Sequence, residues 1–105
     1  MKEVIRAIEK NSNRLDAIRK KLGKEELLAG AAEEAGEVVQ ALLKYRRALN
    51  GLNRTDVTPI DAYEKLQEEL ADLLLYVVII GLDDGDIAET IYKKTKRWCV
   101  RLGVD

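Results

Sequence analysis

The stretch Glu68-Glu69-Leu70-Ala71-Asp72-Leu73-Leu74-Leu75-Tyr76-Val77-Val78-Ile79-Ile80 decides the fold. Asp72 is the only charge between Leu70 and Leu82, and after it apolar residues fall on nearly every face of the helix this segment predicts. A helix of that kind must be surrounded by other helices. Its charge and its end at Asp83-Asp84 make it a core helix rather than a membrane span. A lone buried carboxylate is expensive, so Asp72 calls for something that compensates it.

Upstream of this stretch, Thr58 is placed as N-cap, Pro59 at the first helical position and Asp61 as the closing residue of a capping-box-like arrangement. Before it, Gly51–Val57 is the one candidate loop of any length. A long helix is predicted from Lys24 to Leu49, with Leu28, Ala31, Ala35, Val38, Leu42 and Leu49 on its inner face. The first helix carries the stripe Val4, Ile8, Leu15, Ile18 and Leu22, with polar Asn11 at the missing step and Gly23 as its stop. Downstream, the core helix runs to about Leu82 and breaks at Asp83-Asp84-Gly85; Asp86 caps the last helix, with Glu89 three residues on, and Gly103 ends it. The prediction is a single all-α domain over residues 1–105, a four-helix bundle. Three helices are too few to cover the apolar one, so dimerisation is expected to complete it.

Composition narrows the function classes. The chain has 105 residues, 47% of them hydrophobic and 35% charged, which is a patterned globular chain and not a disordered one. A formal net charge of −1 argues against a generic binder of nucleic acid or of membrane surfaces. With one cysteine and no histidine, an intrachain disulfide, a Cys-His nucleophile, His-ligated zinc and a His general base are all excluded. Cys99 reads as a buried apolar residue. Met1–Lys10 alternates charge with aliphatics and carries no targeting signal, so the expected location is cytoplasmic.

Two carboxylate pairs of equal spacing, Glu34-x-x-Glu37 and Glu69-x-x-Asp72, carry the chemistry. A three-residue step puts both members of a pair on one side of a helix. Facing each other, the pairs would gather four negative charges that disfavour one another's ionisation unless a cation intervenes. The structural alternatives are a solvated acidic patch at Glu34 and Glu37, and an ion pair or a tyrosine hydrogen bond (Tyr45, Tyr63 or Tyr92) at Asp72. Carboxylates without histidine are hard oxygen ligands, suited to magnesium, manganese or calcium. Magnesium held by few carboxylates shares its remaining sites with water and substrate phosphates, which points to phosphate chemistry.

The segments EEAGEVVQALLKYRR (residues 33–47) and EELADLLLYVVII (residues 68–80) resemble the all-α nucleoside triphosphate pyrophosphohydrolases, the MazG-like superfamily. The family hallmark, Glu-x-x-Glu on one helix and Glu-x-x-Asp on the next, falls on Glu34, Glu37, Glu69 and Asp72. KKTKRW (residues 93–98) is similar to a basic family segment, with Thr95 standing where asparagine is usual. The resemblance covers Glu25 to Trp98. It implies hydrolysis of a nucleoside or deoxynucleoside triphosphate between the α and β phosphates, to the monophosphate and pyrophosphate. The four carboxylates would hold Mg²⁺, with Mn²⁺ as a substitute, and a metal-activated water would attack while Glu34 or Glu37 accepts its proton. Glu33 and Glu68 are either partners behind those ligands or ordinary solvated charges.

On the last helix, Lys93, Lys96 and Arg97 cluster and are the candidates to contact phosphate, against the alternative of favourable placement near a helix C-terminus. Trp98 either stacks on a nucleobase or is a partly buried packing residue or a dimer contact. Gly30 and Gly36 each weaken a helix and are expected to admit a close neighbour, a packed helix rather than a nucleotide. Lys44, Arg46 and Arg47 read as structural. The rival readings are phosphoribosyl-ATP pyrophosphohydrolase, whose typical histidine after the second acidic motif is missing here, and a non-catalytic helical dimerisation module. The expected partners are a nucleotide and a second copy of the chain, as a homodimer or a dimer of dimers, with no nucleic acid and no membrane.

Overall fold

The computed structural model describes residues 1–51 and 57–104. Five helices follow in order, α1 (Lys2–Lys10), α2 (Ser12–Lys21), α3 (Lys24–Asn50), α4 (Pro59–Ile79) and α5 (Asp84–Leu102), and no strand is present among the described residues. The all-α expectation holds. Most of the predicted 51–57 loop, residues 52–56, lies outside the described residues.

The single predicted first helix is two. Asn11 separates them, with its side-chain amide donating to the Ala7 carbonyl at 2.8 Å while its Oδ1 accepts from Arg14 at 3.0 Å. An asparagine that bonds the preceding turn competes with the helix ladder, and the backbone at Asn11 leaves helical geometry. Gly23 is not the stop of this helix but the N-cap of α3, its N–H donating to the Glu26 carboxylate at 3.2 Å. Thr58 caps α4 as predicted, accepting from the Asp61 N–H at 3.2 Å, with Pro59 opening the helix. The helix ends at Ile79, short of Leu82, because Gly81 takes a positive φ of 83° that turns the chain away. Asp83, not Asp86, caps α5, accepting from the Asp86 N–H at 3.0 Å. Gly103 ends α5 in the left-handed region, as expected.

Packing centres on α3 and α4, which run antiparallel, with α2 laid across α4. One core joins Leu15 of α2, Leu27 of α3 and Ile79 of α4, with Ile8, Leu22 and Tyr76 packed around it. Val38, Ala41, Ala62 and Leu66 continue the buried seam between α3 and α4. The buried face of α3 is thus set by Leu27, Val38 and Ala41, whereas the predicted inner residues Leu28, Leu42 and Leu49 are exposed. α3 is apolar on two sides and only one of them meets α4.

Arg19 and Lys24 fasten the end of α4. The Arg19 guanidinium donates to the Ile79 carbonyl at 3.0 Å and to the Val78 carbonyl at 3.3 Å, and Lys24 Nζ to the Ile80 carbonyl at 2.7 Å. Cations at the last carbonyls of a helix satisfy orphan acceptors and complement its dipole. No described helix is long and apolar enough to cross a membrane.

Candidate metal centre

Gly30 decides how closely α3 and α4 approach. A Cβ built there would lie 2.5 Å from the Tyr76 ring and hydroxyl, so only glycine admits the ring against α3. One turn along each helix from this crossing stand Glu34 and Asp72. Gly36, by contrast, faces open space, so the expectation of a close neighbour is not met there among the described residues.

Glu34, Glu69 and Asp72 come together as the sequence pairing predicts. One carboxylate oxygen from each lies within 4.8 Å of the others. Glu37 does not join this tight group; it is exposed on α3, near enough for its charge to act on Glu34. Burial is distributed differently from the expectation. Glu69 is the buried carboxylate, at 6% exposure, while Asp72 keeps access to solvent. The reason is the α3–α4 seam, which passes through Leu66 and Glu69 and leaves Asp72 at its margin.

The electrostatics follow from this crowding. Burial, and then the charges of Asp72, Glu69, Glu37 and Glu33, push the Glu34 carboxyl up from its ordinary value. Lys65 answers part of the negative charge, with Nζ 2.9 Å from Glu69 Oε1 and 3.8 Å from Glu68. Its bond to Glu69, helped by the charges of Glu68 and Glu69, pushes the Lys65 ammonium up. Nothing in the sequence motif singles out Lys65. The signal available was its spacing, four residues before Glu69 on one helix face.

Ligand oxygens on one Mg²⁺ sit about 2.1 Å from it, so two of them can be no more than about 4.2 Å apart, and about 5 Å for Ca²⁺. Three hard oxygens within 4.8 Å of one another therefore fit one divalent ion after at most a small side-chain rotation. The predicted alternative of a tyrosine bond to Asp72 is not seen. Tyr45 and Tyr63 pack on each other instead, ring centres 5.5 Å apart, and Tyr92 is exposed on α5.

The bases of the last helix are not brought to this cluster within one chain. α5 makes at most a marginal contact with the other helices, and none of its residues is buried. Lys93 pairs with Glu89 on its own helix at 3.0 Å, Trp98 is 64% exposed, and Cys99 is half-buried rather than buried. Lys96 and Arg97 are exposed on the same helix.

No curated protein and no solved structure matches the chain. The model of the MazG nucleotide pyrophosphohydrolase domain matches residues 22–99, from the end of α2 to Cys99, and so takes in both acidic helices and most of α5. With three carboxylates of the two paired motifs converging on one point inside the matched region, the chain belongs to the family of MazG nucleotide pyrophosphohydrolase domains.

Proposed function

We propose that residues 1–105 form one catalytic domain, a Mg²⁺-dependent pyrophosphohydrolase of nucleoside or deoxynucleoside triphosphates. The observation that carries this reading is the convergence of Glu34, Glu69 and Asp72 within 4.8 Å, inside a domain of a pyrophosphohydrolase family. These three would hold the metal, with Mn²⁺ as a substitute. Bound there, the ion supplies charge neutralisation of the polyphosphate, polarisation of a phosphoryl oxygen and a more acidic water.

The chain's own residues supply the rest. Glu37 stands beside the cluster, takes no ion pair among the described residues, and is the carboxylate left to accept the proton of the attacking water. Glu34 could share that task. The water oxygen bonds to the α-phosphorus, the bond from that phosphorus to the α–β bridging oxygen breaks, and pyrophosphate leaves carrying the bridging oxygen and the electron pair of the broken bond.

A Mg²⁺- or Mn²⁺-supported pyrophosphate-release screen over canonical and modified nucleotides tests this reading. We expect turnover of at least one triphosphate, and Asp72→Asn and Glu37→Gln to lower it by roughly a hundredfold or more. No turnover across the panel, together with metal binding by both variants equal to the parent, would sink it.

The same reading includes a second copy of the chain, as a homodimer or a dimer of dimers. Two apolar stripes support it. On α3, Leu28, Val39, Leu42 and Leu49 are exposed along one side, and on α5 Ile87, Ile91, Trp98 and Leu102 form another. An open groove of about 740 Å³ between α1–α2 and α4, lined by Val4, Ile8, Ile18, Leu70 and Leu74 among others, adds a third apolar surface. Assembly would also give Lys93, Lys96, Arg97 and Trp98 a carboxylate centre to face, that of the other copy.

A further inference from the structure

The one buried charge among the described residues, Glu69, is compensated by Lys65 and by no other cation. The pair is internal to α4, four residues apart, with Nζ 2.9 Å from Oε1. Its two ends differ. The Glu69 side chain is 8% exposed and fixed in the α3–α4 seam, whereas the Lys65 side chain is 57% exposed on a flexible stem. Glu68 stands beside Lys65 at 3.8 Å, is itself 67% exposed, and belongs to no convergent carboxylate group.

We propose that Lys65 is a removable counter-cation of the centre, one that holds the Glu69 carboxylate in the metal-free protein and moves to Glu68 when a divalent ion binds that carboxylate. This rests on the metal reading of Glu34, Glu69 and Asp72. Charge decides the direction of the exchange. An ammonium supplies one positive charge to three converging carboxylates, and a divalent ion supplies two at the point where all three meet. Once that ion is present, the Lys65 head lies beside a like charge and the exposed Glu68 carboxylate is the nearest alternative. Because metal and ammonium draw on the charge of one carboxylate and repel each other, Lys65 lowers the affinity of the centre for free metal. It also spares the protein an uncompensated buried carboxylate before loading.

The test is titration of Mn²⁺ and Mg²⁺ into the full chain by calorimetry, with Lys65→Met, which keeps the apolar stem, and Lys65→Arg, which keeps the charge. Lys65→Met should bind about three- to tenfold more tightly than the parent, the range expected when an opposing ion pair is removed. Lys65→Arg should bind as the parent does. In the parent, the side-chain NMR signals of Lys65 should shift in step with Mg²⁺ saturation. Equal or weaker binding by Lys65→Met overturns the proposal, and so do Lys65 signals that stay fixed while the metal binds. In both of those outcomes the metal site survives. Absence of binding in parent and variants alike removes the metal site itself, and this proposal with it.

Discussion

α4 and α5 are nearly equal in length, yet one lies in a core and the other on nothing. α4 packs its length against α3, receives α2 across its C-terminal half, and has its last carbonyls held by Arg19 and Lys24. α5 has equally good ends, an Asp83 cap and a Gly103 stop, and an internal Glu89–Lys93 pair, but no buried residue. Caps and i,i+4 pairs secure the existence of a helix and contribute tenths to about 1 kcal/mol each. They do not secure its position. Position comes from apolar burial, and α5 keeps its stripe of Ile87, Ile91, Trp98 and Leu102 in solvent within one chain.

That contrast breaks most sharply at Ile91, which is 58% exposed. If α5 were free, an aspartate there would change stability by no more than about 0.5 kcal/mol, as surface substitutions do. Under a second copy, the same aspartate is buried twice in a symmetric interface, at about 2 kcal/mol or more for each. We expect the parent to be at least dimeric by light scattering, and Ile91→Asp to raise its dissociation constant a hundredfold or more while helix content is kept. An unchanged mass for the variant, or a monomeric parent, would show that α5 is not covered by another copy.

A smaller effect is expected inside the α3–α4 pair. Alanine at Gly30 gains about 1 kcal/mol of helix propensity but drives a methyl into the Tyr76 ring. Overpacking of this kind costs about 1–3 kcal/mol, so the net change runs from near zero to a loss of about 2 kcal/mol, readable as a lower denaturation midpoint. The effect of Gly30→Ala should turn from loss to gain when it is made in a Tyr76→Leu background, where the ring is gone. Metal affinity should fall with Gly30→Ala as well, because the crossing at Tyr76 sets the distance between Glu34 and Asp72 one turn away. A variant more stable than the parent by the full helix-propensity gain of about 1 kcal/mol would show that α3 and α4 are not in close contact at that point.

The sequence was most legible where one residue type has one strong local use. Thr58 and Pro59 fix the start of α4, Gly103 fixes the end of α5, and the two acidic pairs place three of their four members at one centre. It was least legible where two local rules compete or where partners are distant. Asn11 could continue a helix or bond back to Ala7, and it does the latter. Asp83 and Asp86 are both sound caps, and the choice falls to Asp83 because Gly81 turns the chain out earlier than the apolar run suggests. The face of α3 that meets α4 is a tertiary outcome, since both of its sides are apolar. The burial of Glu69 in place of Asp72 follows from that same choice of face.

The smallest expected effect is the pH dependence of the metal-free protein, and it confines the electrostatic strain to the α3–α4 side of the comparison. Glu34 carries a carboxyl pushed up from its ordinary value of 4.5 by burial and by Asp72, Glu69, Glu37 and Glu33. The folded state therefore binds that proton more tightly than the unfolded state does. Its contribution to stability is fully present below the ordinary value and is lost as pH rises through the raised one. Other carboxylates titrate in the same range, so the quantity to read is the Tm of the parent minus that of Glu34→Gln. This difference should fall as pH rises from below 4.5 toward neutrality. Saturating Mg²⁺ should remove the fall, because a bound cation favours the ionised carboxylate. A difference that is flat or rises with pH in the metal-free protein would mean that the carboxylates of α3 and α4 do not crowd one another.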